Sequence, residues 1–156
     1  MTDLPWNRPR FKNWLAVART SALWHQRLAA DIAPLGLRMN QFDIMANLLY
    51  EPGMTQQRLA EKIFVGRSNL SMSLPDMEAT GWVRREPDAE DRRVKRLFLT
   101  PEGESVARLA LEAECRLLDE MMEALSETEC NQLGDYMRRI GDRLRAGAAA
   151  ANDAAR

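Results

Sequence analysis

The sequence predicts a mainly α-helical fold that carries one small β-hairpin. Three observations predict it. Apolar residues recur at spacings of three and four through most of the chain. Between residues 82 and 100 that period breaks once, into two short runs, WVRRE and VKRLFLT, rich in β-branched and aromatic residues. Helix-starting and helix-stopping residues stand at the edges of each periodic stretch.

The first helix spans residues 11–32, where Phe11, Trp14, Leu15, Ala18, Ala22, His25, Ala29 and Ile32 repeat at helical spacing and Pro34 with Gly36 ends the run. Asn40 is the expected N-cap of a second helix, QFDIMANLLY, which Pro52-Gly53 stops. Thr55 caps a short third helix, QQRLAEKIF, with Leu59 and Ile63 facing inward. In a fourth, GRSNLSMSLPDMEATG, Leu70, Leu74 and Met77 share a face and Gly81 is the expected C-cap. The two β runs follow, separated by the polar loop PDAEDRR, with Leu97 and Leu99 on one side of the second strand and Arg96 and Phe98 on the other. Thr100-Pro101 opens a long fifth helix marked by Val106, Ala110, Ala113, Leu117, Met121 and Leu125. Ser126-Glu127-Thr128-Glu129 matches a capping box and opens a sixth, with Leu133, Met137, Ile140 and Leu144 as its apolar face. The end of the chain, AGAAAANDAAR, is low in complexity and expected to fray.

At 156 residues, 46% apolar and 29% charged, the chain suits one domain with a helical extension. No run approaches the ~18 apolar residues of a membrane span. MTDLPWNRPRFKNW lacks a signal peptide's apolar core. Two cysteines make no disulfide framework and fit a reducing, cytoplasmic setting. The net charge of -1 conceals an uneven distribution, because residues 1–53, 54–100 and 101–156 carry +2, +2 and -5. Six basic side chains crowd between Arg84 and Arg96. A near-neutral chain of this kind is no histone-like coating protein, but it has one surface suited to a polyanion.

A short helix, a helix ending in glycine and a basic hairpin are laid out as in a winged helix-turn-helix. LAEKIFVGRSNLSMSLPDMEATGWVRREPDAEDRRVKRLFLTPEG resembles the core of the MarR family (multiple antibiotic resistance regulators). That family's wing has the pattern D-x-R, three residues, apolar-x-Leu-Thr, then x-x-Gly, which stands here as Asp91, Arg93, Leu97, Leu99, Thr100 and Gly103. The resemblance covers about residues 10–146.

It implies a winged helix-turn-helix core over 37–100, flanked by dimerisation helices over 1–36 and 101–146, with a flexible tail at 147–156. It implies a homodimer on double-stranded DNA, the fourth helix in the major groove and the wing in the adjacent minor groove. The side-chain chemistry agrees with those roles. Arg93 suits a narrow minor groove, whose concentrated negative potential attracts a permanently charged guanidinium, and Asp91 is placed to orient it. Arg92, Lys95 and Arg96 suit phosphates. On the fourth helix the groove candidates are Arg67, Ser68, Asn69, Ser71 and Met72. Arg67 has phosphate, and Ser68 and Asn69 have helix capping, as alternative employment. The helix departs from the family at Met72, where a basic residue is usual, and at Pro75, which removes an amide donor.

The resemblance also implies a cleft for a small effector, aromatic or acidic, with Trp14, Arg19, Trp24, His25, Phe42 and Met45 as its lining. For each of these the ordinary reading as core or surface residue weighs more. A metal centre is not expected from one histidine and two distant cysteines, and no cofactor is expected. Cys115 reads as packed between Leu111 and Leu118. No phosphate loop, nucleophile elbow or catalytic triad is present, so the chain does not read as an enzyme. The function that results is a DNA-binding transcriptional regulator, a repressor released from a pseudo-palindromic operator by a small ligand. The alternative is a winged-helix dimer with weakened DNA binding that acts through a protein partner.

Overall fold

The computed structural model describes residues 4–63 and 67–154. Its elements fall into two units, 1–117 and 118–156. In chain order they are α1 (Phe11–Ile32), α2 (Met39–Tyr50), β1 (Met54–Thr55), α3 (Gln56–Lys62), α4 (Arg67–Ala79), β2 (Val83–Pro87), β3 (Lys95–Leu99), α5 (Pro101–Met122) and α6 (Glu127–Ala154). The fold is mainly α with a small antiparallel sheet, as the periodicities predict.

Local chemistry explains most of the boundaries. Thr55 Oγ1 accepts the amide of Arg58 at 3.2 Å and so starts α3. The α4 terminus is a Schellman motif: the Trp82 amide donates to Met77 O at 2.9 Å and the Gly81 amide to Glu78 O at 3.0 Å. Gly81 takes φ +82° there, a conformation an L side chain resists. Thr100 caps α5 by accepting the Gly103 amide at 3.0 Å, while its hydroxyl donates to Gly81 O at 2.5 Å, so one side chain joins the end of α4 to the start of α5. Ser126 and Glu129 form the expected reciprocal box at the start of α6.

The sheet has the order β1-β3-β2, with β3 central. Val83 pairs with Leu99, Arg85 with Leu97 and Pro87 with Lys95, while Met54 pairs with Leu97 from the other side. Leu97 and Leu99 point into the core and Arg96 and Phe98 do not, as the alternation predicts. The core gathers Ile44, Met45 and Leu48 of α2, Leu59 of α3, Leu70, Leu74 and Met77 of α4, and Ala107, Ala110 and Ala113 of α5.

Several expectations need correction. α2 begins at Met39, and the residue before it, Arg38, is extended; the Arg38 amide donates to the Gln41 side chain at 3.0 Å. Asn40 therefore lies inside the helix and does not cap it. The two-residue β1 adds a third strand to the predicted hairpin. α1 packs through Leu28 and Ile32 with Trp24 partly buried, whereas Trp14 and Leu23 are exposed. On α5 the buried face is Gly103, Ala107, Ala110, Ala113 and Leu117, with Val106 only partly buried, because the small residues of that face let the helix approach the core closely. Leu125 falls in the turn after α5, not on it. Cys115 is exposed, two residues along from the buried Ala113 and so on the other side of the helix.

Candidate nucleic-acid interface

Within the helix-turn-helix, α4 buries Leu70, Leu74 and Met77 and turns Ser71, Met72, Pro75 and Asp76 outward. Met72 is 74% exposed. The Ser71 hydroxyl accepts a hydrogen bond from Gln56 Nε2 at 3.2 Å, which ties α3 to α4 and leaves the hydroxyl proton available. α4 continues through Pro75 without a break. The side chains of Arg67, Ser68 and Asn69, the other groove candidates, lie outside the described residues.

The wing is organised around Asp88, which the sequence reading passed over. This buried carboxylate accepts the amides of Glu90 at 2.8 Å and Asp91 at 3.1 Å. It also pairs with the Arg96 guanidinium, whose Nη1 donates to Gly53 O at 3.0 Å. Those amides, first that of Glu90 and then that of Asp91, together with Arg96 hold the Asp88 carboxyl below its ordinary value of 3.8. The clue in the sequence was an Asp directly after a proline and ahead of a polar loop, an Asx-turn composition. Asp91 Oδ1 accepts both the backbone amide of Arg93 at 3.0 Å and its Nε at 3.2 Å. Arg93 is thus held at its base while 92% of its side chain stays exposed.

The basic cluster divides into two groups. Arg84 lies over the Phe98 ring at 4.7 Å and pairs with Glu86. Arg85 pairs with Glu78 of α4 at 2.9 Å, and Arg96 is clamped as described. The Arg96 guanidinium thus ties the base of the wing to Gly53 while 47% of its side chain stays exposed. Arg92, Arg93 and Lys95 stand exposed along the wing's outer edge.

The proposed effector residues lie on α1 and α2. Phe42 and Met45 are buried in the core, at 3% and 0% exposure. Trp14 and Arg19 are exposed on α1. Trp24 meets His25 edge-on at 4.8 Å, and His25 Nδ1 donates to Ser21 O at 2.8 Å. The Trp24 Nε1 is buried without a hydrogen-bond partner among the described residues. Nearby, burial pushes the carboxyl of Asp43 up, opposed by His25, and burial followed by the charge of Asp43 pushes that of Glu114 up. An acid whose folded value is raised stabilises below its unfolded value and loses that contribution as pH rises through the folded one. Glu114→Gln is therefore expected to melt higher than the unsubstituted chain at pH 7 and no higher at pH 4. Parallel melting curves at both pH values would refute this.

Residues 35–94, the helix-turn-helix and wing, match the MarR family. Over 100 residues the chain is 35% identical to the transcriptional regulator HosA of Escherichia coli O127:H6, covering 64% of this chain and 74% of HosA. It spans about half the length of YybA, an uncharacterised helix-turn-helix regulator of Bacillus subtilis, at 31% identity over 76 residues. AbsC, a MarR family transcriptional regulator from Streptomyces coelicolor, superposes with a TM-score of 0.79 at 27% identity, covering 86% of this chain and 93% of AbsC. The transcriptional repressor CouR, solved on a 23-mer DNA duplex, superposes with a TM-score of 0.73 at 25% identity, covering 81% of this chain and 89% of CouR.

The fold and the wing together define a winged helix-turn-helix protein. The chain belongs to the MarR family of transcriptional regulators.

Proposed function

We propose that the chain is a repressor that binds a pseudo-palindromic operator as a homodimer and is released by a small aromatic or acidic effector. The observation that carries the DNA reading is the Asp91–Arg93 pair: a guanidinium anchored at one end and free at the other. Ordering the arginine before contact lowers the entropy lost on binding. Arg93 enters the minor groove, Arg92 and Lys95 take phosphates, and Ser71 and Met72 meet base edges in the major groove, with Arg67, Ser68 and Asn69 preceding them on the same helix. Residues 1–36 and 101–146 pair the two copies. The exposed Leu133, Tyr136, Met137, Ile140 and Leu144 of α6, in the second unit, and Trp14 and Leu23 of α1, in the first, support that pairing, because apolar stripes of this kind are usually covered. The two-fold axis sets the recognition helices about one helical turn of DNA apart. The effector is taken on the α1 side. There the carboxyl of Asp43 beside His25, with that of Glu114 beside Asp43, leaves Arg19 as the better partner for an acidic ligand.

Fluorescence anisotropy on DNA from the protein's own upstream region, with scrambled competitor, tests the reading. Arg93→Ala is expected to lose about 1–3 kcal/mol of operator affinity and to flatten the salt dependence. Equal competition by scrambled DNA across several promoter fragments would overturn it.

A further inference from the structure

The recognition helix contains its own weak point. Pro75 offers no amide, so the Ser71 carbonyl lacks its i+4 donor in the middle of the helix that faces DNA. Two side chains at the start of α2, that of the extended Arg38 before it and that of Asn40 in its first turn, reach across to this place. Asn40 Nδ2 donates to Ser73 Oγ at 2.7 Å, and Arg38 Nη2 donates to Asp76 Oδ2 at 3.3 Å. Ser73 and Asp76 bracket Pro75. Arg38, Asn40, Met72, Ser73 and Asp76 line one shallow hollow, so the tethers lie beside the outward-facing Met72.

We propose that Asn40 and Arg38 are positioning residues for DNA recognition. They fix the rotation of α4 where its own hydrogen bonding is interrupted, and so set which way Ser71 and Met72 face. The inference rests on the DNA-binding reading above. The two contacts differ in kind. Asn40–Ser73 is partly buried and shielded from water, so it fixes distance. Arg38–Asp76 joins two side chains each 64% exposed, contributes little stability, and chiefly resists rotation of the helix. The buried Leu74 pins the inner face of α4 but leaves the helix free to rock about that pin; the Asn40 tether holds the buried Ser73 beside the pin, and the Arg38 tether holds the exposed Asp76 on the outer side.

The test uses the full chain, with Asn40→Ala, Arg38→Ala and Arg38→Lys. Three quantities are read: the ratio of operator to scrambled-DNA affinity, hydrogen exchange of the α4 amides, and the melting temperature. Asn40→Ala and Arg38→Ala are expected to lower the affinity ratio by about tenfold, the worth of one misread base pair. Scrambled-DNA affinity, which the wing supplies, stays unchanged. Exchange in α4 rises while that in α5 does not, and Arg38→Lys recovers most of the ratio. Faster exchange with an unchanged ratio would overturn the proposal, because the tethers would then only brace the fold. An unchanged exchange pattern would overturn it as well. If the unsubstituted chain itself fails to discriminate operator from scrambled DNA, the DNA reading falls and takes the proposal with it. That outcome is recognised from the unsubstituted chain alone.

Discussion

Gly103→Ala should destabilise the protein, although alanine is the better helix former. In an open helix the exchange gains roughly 0.5–1 kcal/mol. Here a Cβ on residue 103 would stand 2.1 Å from the carbonyl oxygen of Trp82 and 2.9 Å from its carbon, distances no real methyl tolerates. The obstacle is backbone, and it is held in place: Trp82 O accepts the Thr100 amide at 3.0 Å, and the Trp82 amide closes the Schellman motif on Met77. Relief requires α5 to lift off or the Gly81–Trp82 corner to move, and either disturbs the Thr100 cap. Overpacking of this kind costs typically 1–3 kcal/mol and occasionally more. The upper end is expected, for a net loss of about 2 kcal/mol or more after helix propensity is credited. At about 2–4 °C per kcal/mol for a chain of this size, calorimetry should show the midpoint fall by roughly 5–10 °C. A midpoint unchanged or raised would mean that α5 approaches Trp82 less closely than described.

Leu74→Ala is expected to have an effect as large from the opposite cause. Leu74 is fully buried on the inner face of α4, among the core residues of α2, α3 and β3. Removing a buried leucine loses transfer energy and leaves a cavity, together about 2–5 kcal/mol. The upper part of that range applies, because α4 carries Pro75 and has a weak amphipathic pattern, so packing rather than helix propensity holds it. Met72→Ala, two residues away and exposed, is the matched comparison and should change chemical stability by less than about 0.5 kcal/mol. Urea midpoints for both variants decide the matter: equal shifts would show that α4 does not dock through its Leu70-Leu74-Met77 face.

The parts of the fold legible in the sequence are those whose cause is local. Thr55, Thr100 and Ser126 cap helices by bonding amides three residues on, and Gly81 is needed for a left-handed turn within its own motif. Leu97 and Leu99 alternate with Arg96 and Phe98 because a strand alternates. What stayed hidden depends on partners far along the chain. A two-residue strand such as β1 carries no pattern, and only its pairing with Leu97 defines it. Arg96 looks like its basic neighbours until Asp88 and Gly53 are seen beside it. Asn40 has a capping residue's chemistry, but its amide is turned to Ser73 on a helix read separately. On α5 periodicity alone favoured the bulky Val106, whereas the small residues at 103, 107 and 110 decide how near the helix can come. At the interface, the Asp91–Arg93 pair was readable because two residues of spacing set it, whereas the division of the basic cluster into clamped and outward members was not.

The Arg96 clamp also bears on how such a protein can be rebuilt. Because Arg96 joins Asp88 in the wing to the carbonyl of Gly53, and β1 pairs directly with β3, the wing is not a cassette bounded by residues 83 and 99. Its smallest transplantable unit includes the segment 53–55, which the chain supplies from between α2 and α3. A chimaera that exchanges the hairpin alone would set a new β3 against a segment 53–55 that it did not pair with before, and exchanges that carry both pieces together should fold where the simpler graft does not.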